Sequence, residues 1–154
     1  MNLIKKRITE TLAINPMRDP LRLLKFSYVI GAVLDLLVAI QMFLPLVFAA
    51  TTGIGPFSPG SDYLYTSYMS GVMMIGWATL LLWGYRKPVE RMEILLITTF
   101  PVLVGLMISD ILSAMAGFFP WLTAVVYLLI QAFLVTLFVI SYLLNRRNID
   151  LTST

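Results

Sequence analysis

The sequence predicts an all-α integral membrane protein, built as an up-down bundle of four transmembrane helices. Hydrophobic residues make up 59% of the 154 residues and charged residues only 12%, and the mean hydropathy is +0.89. The apolar residues also fall into four separate stretches. Because roughly 20 mostly apolar residues cross a hydrocarbon core of about 30 Å, each stretch is long enough to be a span. We therefore expect one membrane domain and no soluble domain within these residues.

This membrane domain is predicted to lie between two short terminal segments. In residues 1–18, apolar side chains recur every fourth position among basic ones, a pattern typical of an amphipathic helix on the cytoplasmic membrane surface, with a frayed tail as the alternative. Residues 148–154 are predicted to be a short cytoplasmic tail. The membrane domain is placed at residues 19–147, with spans at about residues 21–50, 64–85, 89–116 and 121–144.

Prolines mark three of the four predicted helix starts. Pro20 follows Asp19, a good N-cap residue, and Pro88 and Pro120 hold the same early position in their helices. Residues 51–62 contain three glycines and two prolines, so the one long loop is predicted there. This loop faces the outside, either as a plain linker or as a lid.

The basic residues predict the orientation of the bundle. With four spans, all of them fall on the side that holds both termini and the second loop, and the positive-inside rule puts that side in the cytoplasm. We expect a multi-pass protein of the cell (inner) membrane. The net charge of +3 then follows from topology and does not indicate nucleic acid as a partner. The eleven residues are Lys5, Lys6, Arg7, Arg18, Arg22, Lys25, Arg86, Lys87, Arg91, Arg146 and Arg147.

Missing residue types exclude several classes of chemistry. The sequence has no cysteine and no histidine, which excludes a thiol relay, the usual structural zinc sites and histidine-ligated haem. It also has no glycine-rich phosphate loop and no serine nucleophile elbow. We therefore predict no cofactor, no metal site and no catalytic residue. An intramembrane enzyme that uses Asp35 and Asp110 as acid and base is the least favoured class of function.

Two carboxylates, Asp35 and Asp110, stand alone inside predicted spans. A charge at the bilayer centre costs from about 3 to more than 10 kcal/mol, so an intramembrane acid is a candidate functional residue. A helical rise of 1.5 Å per residue puts Asp35 near the midplane, at the depth of Gln131. The same count puts Asp110 nearer the outside, at the depth of Tyr127. The sequence therefore predicts a two-tier polar array, with Asp110 beside Tyr127 above and Asp35 beside Gln131 below.

Small residues on the same helix faces indicate that both acids point into the bundle. Asp35 shares its face with Gly31 and Ala39, and Asp110 shares its face with Ser113. Small side chains mark packed helix interfaces in membranes, because they let the backbones approach closely. Pro101 interrupts the third span below Asp110 and removes a backbone donor, so we predict a kink there, either a hinge or a fixed bend.

Two classes of function are favoured over the intramembrane enzyme. The preferred one is a small transporter or channel-like protein whose carboxylates handle protons or a cationic amphipathic substrate. The alternative is an accessory subunit, or one that binds a lipid or a small hydrophobic ligand, without transport or catalysis; each acid would then be protonated and would only join helices. Membrane lipids are expected partners in both. Because four helices enclose little space, a homodimer or a larger membrane complex is also expected.

Overall fold

The computed structural model describes residues 20–55 and 57–152. Within these ranges the chain is helical with no strand, as predicted, and the amphipathic segment predicted at residues 1–18 lies outside them. A π-helical segment, Thr98–Leu103, joins the fourth α-helix to the fifth. The α-helices of the described residues are α1 (Pro20–Phe43), α2 (Pro45–Thr52), α3 (Ser61–Arg86), α4 (Glu93–Ile97), α5 (Val104–Met115) and α6 (Trp121–Thr152).

Within the described residues, three helices are long and apolar enough to cross a membrane. They are Pro20–Phe43, Glu93–Met115 and Trp121–Arg147, where the second comprises α4, the π-helical segment and α5. These helices indicate a membrane protein. The helix α3 has 26 residues, but Tyr, Ser and Gly residues in its first half lower its apolarity, and it is not among the three.

The first predicted span is divided into two helices, contrary to the prediction of one helix over residues 21–50. The break falls at Leu44, whose φ of −121° and ψ of 78° are not helical, and Pro45 begins α2. Proline has no backbone N–H and clashes with the preceding turn, so α1 ends before it. α2 then ends at Gly53 with a φ of +71°, a left-handed C-cap that glycine adopts without a steric penalty.

The other predicted boundaries shift by a few residues. Residues 87–92 form turns, so the third apolar stretch begins its helix at Glu93 rather than at the predicted residue 89. At the other end of the chain, α6 continues past the predicted residue 144 and through most of the predicted tail, to Thr152. Pro120 does precede α6, and its carbonyl accepts from the N–H groups of Thr123 and Ala124.

The hydrophobic core lies where α1 meets α3 and α6. α1 packs along both helices, and α4, the π-helical segment and α5 pack on α6. Fully buried side chains from four helices meet there, which ties the membrane-length helices into one bundle. The largest of these apolar side chains are Leu24, Tyr28, Leu81, Leu95 and Phe138.

Hydrogen bonds bring the basic residues of the described chain to one end of this bundle. Asn145 Nδ2 donates to the Pro20 carbonyl at 2.8 Å and joins the end of α6 to the start of α1. Tyr28 Oη donates to the Arg91 carbonyl at 2.7 Å, and the Arg91 guanidinium stacks 3.4 Å from the centre of the Trp83 ring. We call this the basic end. The opposite end, formed by residues 53–55, 57–60 and 116–120, is the loop end.

An exposed ion pair stabilises the turn at the basic end. Lys87 Nζ donates to Glu90 Oε2 at 2.8 Å, and this hydrogen bond lowers the pKa of the Glu90 carboxyl below its usual value. Solvent screens such pairs, so the contribution to stability is small. The stronger tie of this turn to the bundle is the buried Tyr28.

We expect Tyr28→Phe to lower the free energy of unfolding by about 0.5–1.5 kcal/mol, because the Arg91 carbonyl loses the tyrosine hydroxyl and keeps only the N–H of Ile94 as a donor. The ring keeps its place in the core, so only the hydroxyl is tested. Thermal unfolding in detergent measures the change. Tyr65→Phe is the matched control, since Tyr65 is 68% exposed on α3. Equal loss in both variants would show that the buried hydrogen bond does not stabilise the turn.

Candidate functional site

The structure joins Asp110 to Gln131 across the interface of α5 and α6. Gln131 Nε2 donates to Asp110 Oδ2 at 2.7 Å, which is a short distance for a hydrogen bond of this type. Both side chains are half-buried. Asp110 thus points into the bundle, and a neutral amide is its partner.

The π-helical segment determines which way Asp110 points. The N–H of Val104 bonds to the carbonyl of Thr99, five residues back, in place of the usual four. Pro101 lies inside this wider turn and has no N–H to donate. Because an α-helix turns about 100° per residue, the extra residue changes the face on which every later side chain lies. Asp110, nine residues beyond Pro101, comes to face α6.

Two threonine hydroxyls before the proline bond back to carbonyls one turn earlier in the helix. Thr98 Oγ1 donates to the Ile94 carbonyl at 2.8 Å, and Thr99 Oγ1 donates to the Leu95 carbonyl at 2.7 Å. Trp77 Nε1 in turn donates to Thr98 Oγ1 at 3.1 Å, which ties α3 to the segment. These contacts hold the wider turn against its neighbours. A hinge at Pro101 stays a prediction.

Asp35 lies half-buried in the middle of α1, on the side of α6. Its Oδ2 is buried without a hydrogen-bond partner among the described residues, and so is Gln131 Oε1. The register of the two helices shows how far apart these atoms lie. Ser27 and Ser141 share a hydrogen bond of 2.6 Å, and one turn further along α1, a Cβ on Gly31 would lie 2.9 Å from Phe138.

Continuing this register places Asp35 opposite Leu134 of α6, one turn after Gly31 on α1 and one turn before Phe138 on α6. Gln131 is the next position along the same face of α6. The two unpartnered atoms are therefore both hydrogen-bond acceptors when Asp35 is ionised, and they lie about one helical turn apart in the register. An ionised Asp35 therefore leaves two acceptors here without a donor, whereas a protonated Asp35 carries a donor of its own.

Tyr127 extends the polar groups toward the loop end. Its hydroxyl lies close to the Thr51 side chain and within electrostatic range of Asp110. Gln41 Nε2 contacts Thr51 Oγ1 at 3.4 Å, a long and weak hydrogen bond. We refer to the whole set as the polar array. Its members are Asp35, Gln41, Thr51, Asp110, Tyr127 and Gln131.

The hydrogen bond in this array differs from the predicted pairing. Gln131 bonds to Asp110, whereas the sequence paired it with Asp35; Asp110 also lies within electrostatic range of Tyr127, its predicted neighbour. The predicted depths of Asp110 and Gln131 differ by about one helical turn, and the long glutamine side chain bridges that difference. Sequence reasoning also missed Gln41, although a glutamine six residues after Asp35 within the same apolar stretch was a usable signal.

Two cavities open at the loop end, and neither is lined by Asp35 or Asp110. The larger, about 520 Å³, lies between residues 53–55 and residues 117–121. The smaller, about 190 Å³, lies among the ends of α1, α2 and α3 and is lined mainly by aromatic side chains, Met42 and hydroxyl groups.

These features define a class, a helical-bundle membrane protein with carboxyl and amide groups in its interior. Comparison with known proteins adds no relative to this description: no family model, no curated protein and no solved structure matches the chain. Function must therefore be argued from the polar array and the cavities themselves.

Proposed function

We propose that the protein is a small membrane transporter or channel-like protein whose intramembrane acids handle protons or a cationic amphipathic substrate. The observation that carries the proposal is the pair of buried, unpartnered oxygens, Asp35 Oδ2 and Gln131 Oε1. An ionised carboxylate in this position has lost its water without gaining a donor, which is costly. Binding a proton or a cationic donor removes that cost, so the site favours uptake of positive charge.

Gln131 couples this uptake to the second acid. Its amide nitrogen donates to Asp110 at 2.7 Å, while its amide oxygen has no partner and lies about one helical turn from Asp35. A protonated Asp35, or an ammonium group beside it, can donate toward that oxygen, directly or through water. The charge state of Asp35 thereby acts on the hydrogen bond that holds α5 to α6, and a bound cation would alter helix packing.

The proposed topology has four spans, with α3 as the fourth and both ends of the described chain on the cytoplasmic side of the cell membrane. The support for α3 is its length of 26 residues and its packing along the whole of α1. The support for the orientation is the collection of Lys and Arg side chains at the basic end. A homodimer would enclose more space than four helices can and belongs to the same proposal.

The test is flux of protons and organic cations in proteoliposomes, with wild type compared to Asp35→Asn at equal reconstitution. The substitution keeps the shape of the side chain and removes its ability to ionise, so we expect flux to fall to background. Glu93→Gln is the control and should retain flux, because Glu93 is exposed at the start of α4, outside the polar array. Undiminished flux in Asp35→Asn, or none in wild type across the panel, would refute the proposal.

An accessory or ligand-binding subunit is the second candidate, and one observation favours it. Neither cavity reaches the acids, and the hydrogen bond between Gln131 and Asp110 joins two helices as a structural contact would. Under this alternative wild type shows no flux. Asp35→Asn would then change thermal stability or assembly with membrane partners, which the same preparations can measure.

A further inference from the structure

We propose that the smaller cavity at the loop end binds a small methylated ammonium group, such as the trimethylammonium head of a choline-like molecule. We call this cavity the aromatic pocket. It lies among α1, α2 and α3 beside the turn before α6, and its volume is about 190 Å³. The proposal depends on this pocket alone and holds whether or not the acids carry out transport.

Three aromatic rings from separate segments line the aromatic pocket. The ring of Phe118 lies 6.3 Å from that of Phe48 at an interplanar angle of 29°, and 6.5 Å from that of Tyr63 at 35°. Phe57 packs edge-on against Tyr63 at 5.0 Å and supports it from outside the pocket. Aromatic faces carry negative potential and attract a cation within about 6 Å of the ring centre. Rings gathered in this way form the basic element of a site for an organic cation.

The serine and threonine hydroxyls in the lining have no protons left to offer a ligand. Thr66 Oγ1, Ser67 Oγ and Ser70 Oγ each donate to a backbone carbonyl, at 2.9, 2.7 and 2.9 Å, so each oxygen can only accept. The hydroxyl of Tyr63 is then the one side-chain donor in this lining. An anion, or a neutral ligand that must accept several hydrogen bonds, is therefore poorly served by these side chains.

The charges around the aromatic pocket favour a cation as well. No Lys or Arg lines it, and the basic side chains of the described chain lie at the opposite end of the bundle. Asp62 is the nearest acid in sequence, one turn before Thr66 and exposed at the start of α3. The one full charge that Asp62 brings to this end of α3 is negative, and it attracts cations toward the pocket.

The apolar character of the lining distinguishes among cations. A primary ammonium must keep three hydrogen bonds when it leaves water, whereas the hydroxyl oxygens form only a small part of a lining that is mostly aromatic rings and Met42. A methylated ammonium needs no acceptor and presents methyl groups to the rings. The aromatic pocket therefore fits a methylated ammonium better than a lysine-like group or a metal ion.

The test is calorimetric titration of choline into the full-length protein in detergent, compared with 3,3-dimethyl-1-butanol, which has the same shape without the charge. We expect saturable binding of choline and none of the neutral compound at the same concentration. Phe118→Leu keeps an apolar side chain but removes the shared ring, and should weaken choline binding by about 5- to 10-fold. Phe133→Leu is the matched control, since Phe133 is exposed on α6 away from the pocket, and should bind as wild type does.

Three results would overturn the proposal: no saturable binding of choline, equal binding of the neutral compound, or equal weakening by Phe118→Leu and Phe133→Leu. Asp62→Asn provides a variant that leaves the rings intact, so that a folding defect in Phe118→Leu does not decide the question. It should weaken choline binding at low salt and lose this effect at high salt, because Asp62 acts through long-range attraction. A salt-independent response to Asp62→Asn would likewise count against the proposal.

Discussion

Gly84→Ala is expected to lower the free energy of unfolding by about 1–3 kcal/mol, as overpacking of a filled core does. A Cβ on Gly84 would lie 2.5 Å from Cε1 and 3.0 Å from Cζ of Tyr28. Tyr28 cannot move aside easily, because its ring is fully buried and its hydroxyl is held by the Arg91 carbonyl. Chemical or thermal unfolding in detergent measures the loss.

Gly76→Ala is the matched control for this prediction. Gly76 lies on the same helix, and a Cβ there would meet nothing within 4 Å. Since alanine favours helix over glycine by up to about 1 kcal/mol, Gly76→Ala should be neutral or stabilising. Comparable destabilisation by the two variants would show that the approach of α1 to α3 does not depend on the missing side chain at Gly84.

Gln131→Leu is expected to destabilise the protein by about 2–3 kcal/mol, because it leaves the Asp110 carboxyl half-buried without its donor. The expected loss is large because removing one partner of a buried hydrogen bond leaves the other unsatisfied, whereas removing both partners can be nearly neutral. In the double variant with Asp110→Leu, no polar group is stranded, so the double variant should be more stable than Gln131→Leu alone. A double-mutant cycle on the unfolding free energies measures this coupling.

Gln41→Leu provides the comparison for the Gln131 cycle. Gln41 is also a glutamine in an apolar helix, but its contact to Thr51 is 3.4 Å long, so its removal should cost less than about 0.5 kcal/mol. Additive effects of Gln131→Leu and Asp110→Leu would mean that their hydrogen bond contributes nothing to holding α5 on α6. A loss in Gln41→Leu as large as in Gln131→Leu would have the same meaning.

Helical class and the inward direction of the acids could be predicted from sequence because both follow from local patterns. An apolar stretch is recognised from consecutive residues, and the face of a helix from residues three or four positions apart. Asp110 does point into the bundle, as the small residues on its face predicted. The break at Leu44 could not be placed in the same way. A proline at position 45 indicates an irregularity in the helix, but whether the helix bends or ends at a proline depends on what packs against it.

Partners within the polar array could not be predicted because they depend on where separate helices meet. Counting residues along a helix gives depth only to within about one turn, and the amide of Gln131 is long enough to reach Asp110 instead of the acid predicted beside it. The aromatic pocket was missed for a related reason. Phe48, Tyr63 and Phe118 come from three segments, and nothing in the spacing of the sequence connects them.

The extra residue in the turn around Pro101 makes the direction of Asp110 sensitive to chain length. Deleting one residue between Thr98 and Leu103 would let a regular α-helix form and rotate all of α5 by about 100° relative to α4. Asp110 would then leave the face that meets Gln131, although neither residue had been changed. Insertions and deletions in this short segment thus act on the site as strongly as substitution of the acid, and relatives that vary in length there would carry their carboxylate on a different side of the helix.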